Sequence, residues 1–158
     1  MNTHKRLLKA AGVLCVGMGL VHAVIGFVPS WSLYFGAPEA LVRSYSLLVA
    51  ASLLISGLLV LAGLYGLSGA GQIRRLPALR PVLLVISLIF LVRGLFLLPE
   101  LLMAGGWLDI GIPVHGRYLI FSAGSLGLGL AFGRGTLGLA PREKPGYVKT
   151  GRQTPNPL

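Results

Sequence analysis

Acidic side chains are scarce in this chain: four Asp and Glu stand against fourteen Lys and Arg, a formal net charge of +10 over 158 residues. Charge of either sign is scarce too, at 11%, where a soluble domain carries about 25%. A chain so poor in charge cannot cover itself with a hydrated surface, which excludes an ordinary water-soluble domain. There is one cysteine, Cys15. That excludes an internal disulfide and a Cys-x-x-Cys redox pair. The bulky Leu14 before it also excludes lipoprotein processing, so Cys15 reads as a small apolar packing residue. Missing as well are a His-Glu-x-x-His helix, a nucleotide-binding glycine loop and a Gly-x-Ser-x-Gly elbow.

What the chain has instead is apolar residues, 54% of the total, gathered into long runs. The runs cover 7–28, 47–67, 82–103 and 114–132, each close to the roughly 20 helical residues that cross a hydrocarbon core. Pro29 ends the first. Pro81 and Pro113 stand where the third and fourth begin, positions at which a missing N–H costs nothing. The expected fold class is all-α, a transmembrane four-helix bundle over residues 1–133. A basic tail rich in Pro and Gly, residues 134–158, is expected to be disordered, because it cannot bury enough apolar surface to fold. Lys5, Arg6 and Lys9 followed by an apolar stretch and Val21-His22-Ala23 also resemble a signal peptide. The apolar run continues past Ala23, which favours an uncleaved helix. Cleavage within residues 1–23 stays open.

The bases are sorted by position. Lys5, Arg6 and Lys9 flank the first run. Arg74, Arg75 and Arg80 lie between the second and third, with no acid. Arg134, Arg142, Lys144, Lys149 and Arg152 follow the fourth, against Glu143 alone. The other two loops hold Arg43 with Glu39, and Asp109. A bilayer keeps cationic loops on the cytoplasmic face, so a bacterial inner-membrane protein with both termini inside is expected. Trp31, Tyr34, Phe35 and Trp107 then fall at the outer interface, where amphipathic rings collect. The segment 31–43 fits either a short surface helix or an irregular loop. No basic face remains for nucleic acid; the expected partner is the lipid bilayer, and a homo-oligomer or a second membrane protein stays open.

Small residues at spacings of three and four mark expected packing seams: Gly19, Ala23 and Gly26 in the first helix, Ser52, Ser56 and Gly63 in the second, Ala123, Gly127 and Ala131 in the fourth. Polar residues inside the runs are the candidate site. Arg93 lies twelve residues beyond Pro81, about 18 Å along a helix and so near mid-membrane. Glu100 follows on the same face, with Pro99 freeing the Leu95 carbonyl. His115, Tyr118, Ser122, Ser125 and Gly129 share one face of the fourth helix. With the orientation above, His22, Arg93, Glu100, His115, Arg117 and Tyr118 all fall in the outer half and form the candidate ligand-binding set. The alternative is mutual neutralisation, with Glu100 paired to Arg117 or Arg43, and Arg93 bonded to serines and backbone carbonyls of neighbouring helices. No catalytic set, metal site or cofactor is expected; His22 with His115 as haem ligands is the weakest reading.

Gly19-Leu20-Val21-His22-Ala23, Pro29, Gly36-Ala37-Pro38 and Arg93-Gly94-Leu95 resemble segments of small bacterial four-helix membrane proteins that are DoxX-like in size and layout. The resemblance covers the four helices and not the tail. It implies the fold and carries no activity here, because no residue set for quinone or thiol redox chemistry is present. Small four-helix multidrug exporters are similar in length, but they rely on a carboxylate in the first helix, where this chain offers only His22. The expected function is a non-enzymatic binding or accessory protein with a polar pocket in the outer half of the bilayer. A small transporter or channel subunit is the first alternative, and a quinone- or haem-linked redox protein the second.

Overall fold

The structure is a computed structural model that describes residues 3–107 and 116–139. Its elements are α1 (Thr3–Gly26), α2 (Pro29–Tyr34), α3 (Glu39–Val42), α4 (Tyr45–Gly69), α5 (Leu79–Leu95), α6 (Leu97–Ala104) and α7 (Gly116–Leu137), and no strand occurs among the described residues. Three stretches are long and apolar enough to cross a membrane: Thr3–Gly26, Tyr45–Gly69 and Leu79–Ala104. α7 is of similar length but is diluted by glycine, serine and two arginines.

The helices overrun the apolar runs. α1 begins at Thr3, because Lys5, Arg6 and Lys9 are good helix formers and a polarity change alone does not end a helix. α7 continues through Arg134 to Leu137, so residues 134–137, expected in the tail, are helical. Gly135 lets Leu8 of α1 pack there, and Thr136 Oγ1 donates back to the Phe132 carbonyl at 2.6 Å. Residues 140–158 of the tail, and Val114 at the expected start of the fourth helix, lie outside the described residues. The third run is divided at Phe96 into α5 and α6. Pro99 has no N–H for the Leu95 carbonyl, and the division falls within that turn. The segment 31–43 resolves into two short helices, α2 and α3, joined through Gly36 at φ +96°.

Burial differs from that of a water-soluble protein: beside an apolar core, small polar residues are buried and many large apolar ones are exposed. Ser52, Ser56, Ser68, Ser87, Ser122 and Thr136 are buried, while Leu20, Leu54, Leu58, Leu88, Ile89 and Leu98 are exposed. Large leucines outside and small polar residues inside suit a lipid surround, where association depends on close backbone approach and interhelical hydrogen bonds.

The long helices pack as two pairs, α1 with α4 and α5 with α7. Glycine sets both distances. A Cβ on Gly12 would stand 2.8 Å from the Gly63 carbonyl oxygen, and one on Gly63 would stand 2.7 Å from that of Gly12. In the second pair a Cβ on Gly94 would stand 2.6 Å from Leu126 Cα. Each pair is also tied by a serine: Ser56 Oγ donates to the Gly19 carbonyl and Ser87 Oγ to the Gly129 carbonyl, both at 2.7 Å. Gly19 and Gly26 of α1, and Ser52, Ser56 and Gly63 of α4, are therefore on a seam as expected. The fourth-helix seam is met only at Ala131, which packs against the core. Ala123 and Gly127 are exposed, and the buried face carries Ser122, Gly129 and Phe132. Small-residue spacing marks a face that can approach another helix; here the hydrogen bonds offered by α5 selected the other face.

The two pairs join where α1 begins and α7 ends. Leu8, Ala11 and Cys15 meet Leu83, Leu128 and Phe132 in the core, Phe90 stacks on Phe132 at 6.0 Å, and His4 Nδ1 lies 2.8 Å from the Arg134 carbonyl oxygen. Clefts lie between α1 and α7 and between α4 and α5, and α2 and α3 sit where α1 ends and α4 begins.

Candidate functional site

Arg93 stands next to Gly94, where α5 packs closely on α7. That approach carries the guanidinium to the neighbouring helix, where Nη1 donates to Ser122 Oγ at 2.8 Å. The same Nη1 lies 3.8 Å from Glu100 Oε1, with the side chains 44% and 14% exposed respectively. Phe96 lies beneath the cation, 5.9 Å from its ring centre. At 3.8 Å the ion pair is beyond hydrogen-bonding distance. Ser122 takes one of the five guanidinium N–H donors, and the others have no partner among the described residues. Glu100 Oε2 is buried and likewise has none there. A charge at the bilayer centre costs about 2.5–3.5 kcal/mol on insertion scales. The loosely paired Arg93 and Glu100 recover only part of that cost from each other.

Arg93 reaches two clefts. One, about 650 Å³, runs between α1 and α7 and is lined by Val13, Leu14, Met18 and Val21 on α1, with His22 and Ser125 as its other polar side chains. Phe35 and Phe121, 6.0 Å apart, stand at its α2 end. The other cleft, about 400 Å³, lies between α4 and α5 and is almost wholly apolar apart from Arg93. Both volumes fall in the range of about 300–1,000 Å³ usual for small-molecule sites.

The candidate set is only partly assembled. His22 and Arg93 line one cleft, and Glu100 joins through Arg93. Arg117 and Tyr118 belong to the cover of that end. The Arg117 guanidinium stacks on Tyr34 at 4.7 Å and on Tyr118 at 5.3 Å, while the Tyr118 ring packs against Gly36. The buried Arg117 Nε has no hydrogen-bond partner among the described residues. His115 lies outside the described residues, so its pairing with His22 has no geometry. The expected pairing of Glu100 with Arg117 or Arg43 is corrected. Glu100 faces Arg93, and Arg43 pairs with Glu39 at 3.8 Å on the exposed surface. Four residues of sequence separation, one helical turn, favour the second pairing; α6 places Glu100 beside its own neighbour in the run.

Sequence reading missed Phe35, Phe121 and the apolar α1 wall as cleft residues, since nothing in the sequence distinguishes a cleft wall from a lipid-facing one. Ser122 was legible as a member of the polar face of α7, and the expected bonding of Arg93 to a serine of a neighbouring helix falls on it. Among the described residues no three His, Cys, Asp or Glu side chains gather in a metal-binding group. Comparison with known proteins finds no matching protein-family model, no matching curated protein and no matching solved structure.

Proposed function

We propose that this chain is a four-crossing bacterial inner-membrane protein, both termini cytoplasmic, that binds a small polar or amphipathic molecule in the outer half of the bilayer without performing chemistry on it. The crossing number supports itself on α7, which runs alongside α5 although it is the least apolar of the long helices. The orientation rests on the alternation of basic and base-poor loops. The DoxX-like layout agrees with this arrangement, and no activity is drawn from it.

The observation that carries the binding reading is the half-exposed Arg93 guanidinium. It ends two clefts with most of its donors unused, beside a Glu100 oxygen that also lacks a partner. A purely structural ion pair would close that geometry, since buried charges need their hydrogen bonds completed. Guanidinium donors in the wall of a largely apolar cleft, with His22 and Ser125 as its other polar side chains, suit a head group that accepts hydrogen bonds and carries an apolar body.

The test is retention. Full-length protein, purified in mild detergent, is extracted with organic solvent, and the extract is compared by mass spectrometry with those of Arg93→Gln and His22→Ala. A molecule stoichiometric with the native chain and depleted in both variants is expected. Identical extracts from three monodisperse preparations would remove the binding reading and leave Arg93 and Glu100 as a register pair.

A further inference from the structure

The link between α4 and α5 is shaped into a basic hollow that the Arg93 clefts do not involve. It encloses about 780 Å³ and is lined by consecutive residues, among them Arg74, Arg75 and Arg80, over an apolar floor of Leu76, Pro77 and Leu79. The last turns of α4 hold the link in place. Ser68 Oγ donates to the Arg74 carbonyl at 3.1 Å and accepts from the Leu76 N–H at 2.9 Å, and Tyr65 Oη donates to the Pro77 carbonyl at 3.4 Å. Ala78 holds a left-handed φ of 49° just before α5 begins, a conformation that a non-glycine residue keeps only where its surroundings enforce it. Arg75 also lines an adjoining hollow of about 330 Å³ together with Lys5 of α1.

None of these four cations has an acidic partner or a side-chain hydrogen bond among the described residues. If charge sorting alone were at issue, three arginines on a slack loop would serve. Here the backbone that carries them is pinned at three points and curved around a space with an apolar base. We propose that this hollow is a head-group site for an anionic phospholipid. The phosphodiester sits among Arg74, Arg75 and Arg80, and the first acyl methylenes lie on Leu76, Pro77 and Leu79. Guanidinium forks match phosphate oxygens in pairs, and the hollow opens at the end of two membrane-crossing stretches, the depth at which lipid phosphates lie. The inference is independent of the ligand proposed for Arg93.

The test is native mass spectrometry of the full-length protein in mixed micelles, titrated with phosphatidylglycerol or phosphatidylcholine. Two charge-matched triple variants are compared: R74Q/R75Q/R80Q, and R142Q/K144Q/K149Q in the tail. The native chain is expected to retain phosphatidylglycerol in preference to phosphatidylcholine. The loop variant should lose affinity for it by about a hundredfold, and the tail variant should behave as native. Because removing loop arginines also removes a topology signal, R74K/R75K/R80K is measured in parallel. It keeps the charge and loses the fork, and a drop of about tenfold is expected. Equal losses in the loop and tail glutamine variants, full retention in the lysine variant, or displacement of the lipid by millimolar inorganic phosphate would each overturn the site.

Discussion

Arg93 is bonded to Ser122 across the close packing of α5 on α7, and that single 2.8 Å contact is the only hydrogen bond its guanidinium makes among the described residues. Glu100 stands by at 3.8 Å with one oxygen unpartnered. The relationship separates two roles that the sequence leaves merged. Ser122 fixes where the cation sits, and Glu100 only lowers the cost of its charge.

That separation predicts unequal couplings. In a double-mutant cycle on thermal stability in detergent, Arg93→Ala and Glu100→Ala should couple by about 1 kcal/mol or less, because Arg93 is half exposed and the pair is long. Arg93→Ala with Ser122→Ala should couple at least as strongly. A Glu100 coupling well above the Ser122 value would make the ion pair the main anchor.

Glycines that look alike in the sequence should respond oppositely. Gly12→Leu or Gly63→Val forces a side chain into a backbone contact under 3 Å and should destabilise the chain by about 1–3 kcal/mol, the usual range for overpacking. Gly17→Ala, Gly57→Ala and Gly127→Ala meet open space and should be neutral or stabilise by up to about 1 kcal/mol, since alanine is the better helix former. The readout is the melting temperature of each purified variant. Loss of stability on Gly127→Ala would restore the fourth-helix seam expected from spacing.

Ser56 and Ser87 hold equivalent places in the two helix pairs, each donating to a glycine carbonyl at 2.7 Å. Ser56→Ala and Ser87→Ala should each cost about 0.6 kcal/mol, the average for interhelical hydrogen bonds in a membrane. The double variant should be additive, because the bonds lie in different pairs. A deviation of more than about 0.5 kcal/mol from additivity would mean that the pairs are not independent units.

Topology is checked by thiol labelling in a Cys15→Ala background, which removes the only native thiol. Arg74→Cys should react with an impermeant maleimide only after the cell membrane is opened. Glu39→Cys, on α3 and exposed, should react in intact cells. Labelling of Arg74→Cys in intact cells would reverse the orientation and with it the outer placement of the Arg93 clefts.

The first three apolar runs, Pro81 in the first turn of α5, and the seams on α1 and α4 were legible in the sequence. Each depends on a local quantity: length against bilayer thickness, the missing N–H of proline, or the spacing of small residues. The convergence of His22 and Arg93 was half legible, since depth can be counted along each helix while azimuth cannot. The α1 wall of the cleft, the cover formed by Tyr34 and Arg117, and the pinned arginine link depend on segments distant in sequence, and no periodicity encodes them.

Residue order alone determined that this chain is helical and apolar enough for a membrane, because water and lipid partition side chains one at a time. Only the tertiary structure decided which face of α7 meets α5, which carboxylate stands beside Arg93, and where the helix pairs part to leave clefts. Those outcomes turn on backbones approaching within a glycine's width and on hydroxyls finding carbonyls across helices, and such contacts exist only once all the helices are in place.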